Sequence, residues 1–110
     1  MKRYKLLLLV DDWELLERYE ERFSTAFEVY CAPLGAEGLR LAREKQPDFI
    51  LLNLAFENMT NQEAWVALRA DPLTQKITIA AVGTGGSGPD YWLKDPVSVE
   101  NIAELISRRK

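Results

Sequence analysis

Short, wholly apolar runs alternate along this chain with longer amphipathic stretches, and that alternation limits the available folds more than any other feature. Leu6-Leu7-Leu8-Leu9-Val10 and Phe49-Ile50-Leu51-Leu52 are apolar at every position. A strand with one wet face would alternate polar and apolar residues. A strand apolar throughout is buried on both sides, as in a parallel sheet covered by helices on each face. The stretches between follow the helical period. Leu15, Tyr19 and Phe23 recur every four residues, and Ala36, Leu39 and Ala42 every three. The second of these helices must stop near Gln46, because Pro47 disfavours helical geometry before it.

Continuing the reading predicts strands over 5–10, 27–32, 49–54, 77–82 and 91–93, with helices after the first three strands and after the last. Asn61 is expected to cap the third helix, whose Ala64, Trp65 and Leu68 face inward and which closes near Asp71-Pro72. Ser98 is expected to cap the last, with Val99, Ile102, Leu105 and Ile106 on one face. One helix is missing from the alternation. Between Val82 and Tyr91 lie Gly83-Thr84-Gly85-Gly86-Ser87-Gly88-Pro89 and Asp90, too short and too rich in glycine for a helical crossover. The fifth strand must therefore be reached by a tight extended crossover, or pair in an unusual way.

Composition narrows the chemistry. A length of 110 residues fits one domain, and 47% hydrophobic with 28% charged residues is ordinary for a globular protein. The net charge of −3 offers no general attraction to nucleic acid. With no histidine, a histidine base, a phosphohistidine carrier and a His-ligated metal are excluded. The lone Cys31 forbids an internal disulfide or a structural zinc site and reads as a small core residue. Only hard, oxygen-ligated cations such as magnesium remain. No apolar run approaches the ~20 residues that span a bilayer. The start is too short and acidic for a signal peptide, so a cytoplasmic setting is expected.

Polar residues collect where these strands end: Asp11-Asp12 after the first, Asn53 at the third, Gly83-Thr84 after the fourth, Lys94-Asp95 after the fifth. In a doubly wound sheet this is the edge that carries function. The segments LLLLVDD, QPDFILLNL followed by ENMTNQEA, DPLTQKITIAAV and YWLKDPVSVENI together resemble a response-regulator receiver domain (CheY-like), over essentially the whole chain. The resemblance implies a flavodoxin-like α/β three-layer sandwich with strand order 2-1-3-4-5, here with the fourth helix replaced by a Gly-rich loop. It also implies phosphoryl transfer from a partner kinase to an aspartate ending the third strand. Magnesium would be held by the acidic pair, and a hydroxyl and a lysine after later strands would bind the phosphoryl group.

The residues depart from that pattern at several points. Asp11 and Asp12 match the metal-binding acids, but Asn53 stands at the phosphoacceptor position, and an amide cannot attack as a carboxylate does. Gly83 takes the hydroxyl position with Thr84 one residue late; Asp95 takes the lysine position with Lys94 one residue early. Trp92 replaces a smaller switching aromatic, and the Asp95–Pro96 bond is the cis-proline candidate that the resemblance implies. Asp11, Asp12 and Asn53 can be read as a weak magnesium site, or Asp12 as a helix cap beside a polar strand end. The departures point to an atypical receiver, a pseudo-receiver that is not an enzyme and serves as a phosphorylation-independent interaction module of two-component signalling. Its partner would be another signalling protein or a second copy, through the face near the fourth and fifth strands, with no nucleic acid and no membrane. The alternative is magnesium-dependent phosphotransfer using Asp11, Asp12 or an aspartate restored at position 53.

Overall fold

The apolar runs become the middle of a single sheet. The computed structural model describes residues 3–32, 35–53, 59–83, 89–94 and 96–108. In chain order they form β1 (Lys5–Val10), α1 (Trp13–Phe23), β2 (Glu28–Ala32), α2 (Gly35–Lys45), β3 (Phe49–Asn53), α3 (Met59–Ala70), β4 (Thr78–Val82), β5 (Tyr91–Leu93) and α4 (Val99–Arg108). All four strand pairs are parallel, in the order β2-β1-β3-β4-β5.

Strand parity divides the core into two layers, because successive side chains point to opposite faces. Leu6, Leu8, Val10, Phe49 and Leu51 pack with Leu16, Tyr19 and Phe23 of α1 and Ile102, Leu105 and Ile106 of α4. Leu7, Leu9, Ile50 and Leu52 pack on the other side with Ala42 of α2 and Leu68 of α3. Both faces of β1 and β3 are dry, which is why neither run alternates. Trp65 is half-buried against the second layer, with the Arg69 guanidinium 4.9 Å from its ring centroid. Gly38 of α2 lies so close to Leu9 that a β-carbon would sit 2.2 Å from Leu9 Cδ2, so any side chain here would force the buried Leu9 to shift.

Helix ends follow local chemistry. Asp12 caps α1, its Oδ1 accepting from Leu15 N at 3.2 Å. Ser98 caps α4 in a reciprocal box: Asn101 N donates to Ser98 Oγ at 3.1 Å, and Ser98 N to Asn101 Oδ1 at 3.2 Å. Gln46 follows α2 with φ +49°, ending the helix immediately before Pro47. Asn61 does not cap α3. The helix begins at Met59, two residues earlier, so Asn61 stands inside its first turn. β2 and β4 each start one residue later than expected, and Leu54 lies outside the described residues.

The fifth strand pairs with β4 in parallel and begins at Tyr91 opposite Ala80, so the chain returns only ~7 Å along β4. Eight residues reach up to ~28 Å when extended, ample for that return. Asp90 anchors the return: its N–H donates to Ile79 O at 2.8 Å, and its Oδ2 accepts from Ile79 N at 2.8 Å and from Arg69 Nη2 at 3.1 Å. Arg69 also donates to the carbonyls of Gln75 and Ile77, joining the end of α3 to both strands. Trp92 turns to the α2/α3 face and packs half-buried on the second layer. The sheet beneath it is not left bare, since Ile79 and Ala81 are fully buried.

Cys31 differs from its sequence reading in being half-exposed on β2, where Sγ donates to Glu20 Oε2 at 3.2 Å. Partial burial, then the Glu20 carboxylate, push the thiol up to about 11 from 9.0. The folded state thus favours the protonated thiol; that preference is complete below pH 9 and lost as pH rises through about 11. At pH 8 alkylation of Cys31 by iodoacetamide should run on the order of a hundredfold slower in the folded than in the urea-unfolded chain. Asp90→Ala, which strips the acceptor from the buried Ile79 N–H, should lower urea-unfolding stability by ~1–3 kcal/mol, with Asp90→Asn losing less.

Candidate functional site

The carboxyl edge of the sheet gathers the singled-out residues from four strands. Pairing of β1 with β3 sets Val10 opposite Asn53, and Asp11 N donates to Asn53 O at 3.2 Å. Asp11 is therefore set beside Asn53 by a main-chain hydrogen bond. Asp12 follows as the cap of α1, and both aspartates are exposed. Strands β1 and β3 lie at the point where strand order reverses, where open α/β sheets form their ligand crevice.

Asn53 shares the parity of Phe49 and Leu51 and so turns toward α1, half-buried. Its Nδ2 donates to Tyr19 Oη at 3.4 Å. Tyr19 is 1% exposed, tilted against the Phe23 ring at 5.7 Å, so the acceptor of this bond is rigidly held. Sequence reasoning saw Tyr19 only as part of a helical stripe; its contact with position 53 needed the sheet parity and the seating of α1 together. A carboxylate at this position would accept a hydrogen bond from the tyrosine hydroxyl, whereas the amide donates one to it.

The donor set fits magnesium in kind but not in charge. Asp11 and Asp12 carboxylates with the Asn53 carbonyl oxygen are hard oxygen ligands. One Asp12 oxygen is already engaged with Leu15 N, and the third ligand is neutral. Among the described residues, no group of three His, Cys, Asp or Glu stands close enough to hold a metal. A bound magnesium would supply charge neutralisation for a phosphoryl group.

On the other side of the edge, Gly83 N donates to Leu93 O at 2.8 Å, continuing the β4–β5 ladder one residue beyond the strands. Gly83 has φ +126°, a backbone conformation open to glycine and strained for a residue with a β-carbon. The Trp92 ring borders it, with Cζ3 3.9 Å from where that β-carbon would lie. Lys94 is exposed after β5. Thr84 and Asp95 lie outside the described residues, as does the peptide bond joining Asp95 to Pro96. Pro96 itself is exposed at the entry to α4.

Comparison with known proteins agrees with this architecture. No protein-family model matches the sequence. The chain is 30% identical over 113 aligned positions to the cell cycle response regulator CtrA of Brucella ovis and of Brucella abortus, covering 94% of this chain and 47% of that protein. It thus spans about half the length of the curated relatives it matches. Among solved structures, the CheY-like response regulator receiver domain from Methylobacillus flagellatus superposes with a TM-score of 0.80 at 17% identity, covering 99% of this chain and 100% of that one. The Vibrio cholerae chemotaxis protein CheY4 gives 0.77 at 22% identity, covering 96% and 98%. Among the described residues no helix is long and apolar enough to cross a membrane. In fold this chain is CheY-like, and in sequence it is similar to response regulators over nearly its whole length.

Proposed function

We propose that this chain is a pseudo-receiver: a cytoplasmic, non-enzymatic module of two-component signalling that binds its partner without being phosphorylated. The observation that carries the reading is Asn53, at the carboxyl end of β3 with its amide donated to the buried Tyr19 hydroxyl. A phosphoacceptor must present a nucleophilic oxygen to the incoming phosphorus; this side chain has an unreactive amide tied to the core. Gly83 supports the same reading from across the edge. A hydroxyl is absent where a phosphoryl group would need a donor, and the backbone there has taken a shape that suits glycine alone.

Magnesium, in this reading, binds weakly through Asp11 and Asp12 with the Asn53 carbonyl, since one full negative charge is missing from the set. The partner surface is the face near β4 and β5, where no helix stands between the strands among the described residues and where Tyr91, Trp92 and Leu93 are half-exposed. The second reading, phosphotransfer to Asp11 or Asp12 or after restoring an aspartate at 53, draws on the two exposed carboxylates of the pair.

Incubation with acetyl phosphate and magnesium, followed by intact mass measurement, separates the two. The native chain should show no phosphoryl adduct; a stable adduct would sink the pseudo-receiver reading. Gly83→Thr should fail to rebuild a phosphate site and should instead cost ~1–3 kcal/mol in urea unfolding, because threonine must adopt a strained φ.

A further inference from the structure

A cavity of about 340 Å³ lies between α1 and the connection into α4, lined by Leu15, Arg18, Tyr19, Arg22 and Pro96. Its apolar surface comes from Leu15, Tyr19 and Pro96, and its polar surface from two arginines one helical turn apart. Like charges at this spacing repel. Four glutamates, Glu14, Glu17, Glu20 and Glu21, share the helix with them, yet neither arginine forms an ion pair among the described residues. Glu20 instead accepts from Cys31.

Arg22 is held in place without being neutralised. Its Nη1 donates to Val97 O at 3.0 Å, and its guanidinium carbon stands 5.9 Å from the Tyr19 ring centroid. A guanidinium carries five N–H donors, and this one uses a single hydrogen bond within the described protein. Arg18 uses none there. Two cationic forks over an apolar hollow match a ligand with an anionic head and an apolar body.

We infer that this cavity is a binding site for a small organic anion, a carboxylate or phosphate head between Arg18 and Arg22 with its body against Leu15, Tyr19 and Pro96. The inference does not depend on whether position 53 can be phosphorylated. Tyr19 is also the residue that receives the Asn53 amide, so an occupied cavity and the acceptor position share one wall.

The test is an NMR titration of the isotope-labelled full chain in phosphate-free buffer with benzoate, using benzyl alcohol as the neutral counterpart. Benzoate should give saturable amide shifts confined to residues 15–22 and 96–98. Benzyl alcohol should bind at least about tenfold more weakly. Arg18→Gln breaks no hydrogen bond among the described residues and should weaken benzoate about tenfold without changing the melting temperature. Absence of saturable shifts, equal binding of the neutral compound, or undiminished binding by Arg18→Gln would each overturn the site.

Discussion

The parallel pairing of β1 with β3 governs this molecule, because both strands are buried on both faces and their register decides which side chain enters which layer. At the start of the pair, Lys5 N donates to Asp48 Oδ2 at 2.8 Å and Asp48 N to Lys5 O at 2.9 Å, a two-bond clamp formed before the ladder begins. From there Leu6 meets Phe49 and Val10 meets Asn53. A slip of one residue would exchange the two layers and turn Asn53 away from α1. The clamp at the amino edge thus sets the geometry at the carboxyl edge.

That geometry sets the surroundings of Asn53. Here it faces a buried tyrosine hydroxyl, and the hydrogen bond runs from the amide to the phenol. A neutral side chain here also adds no like charge beside Asp11 and Asp12, so it brings no repulsion to the acidic pair. The amide thus ties position 53 to α1 without adding charge at the carboxyl edge.

The eight-residue return from β4 to β5 shows a comparable economy. At its two ends the return is fixed by Asp90 with Arg69 and by Gly83, which carries the ladder on at a positive φ. Trp92 covers part of the sheet face where a crossover helix would otherwise pack.

Much of the fold is legible in one dimension. Unbroken apolar runs require two-sided burial, the four-residue and three-residue stripes require helices, and Pro47 and Ser98 mark helix boundaries through local backbone chemistry. Asp11, Asp12 and Asn53 at strand ends are equally visible, since the carboxyl edge follows from strand direction. Tertiary structure alone decided what depends on two distant segments meeting: the Asn53 bond to Tyr19, the Asp90 anchor on β4, the half-exposed seat of Cys31 beside Glu20, and the pairing of two arginines with Pro96. It also moved the start of α3 ahead of Asn61. Periodicity and capping are properties of neighbours along the chain, whereas the partner of a side chain is set by register and layer, which exist only once the sheet has formed.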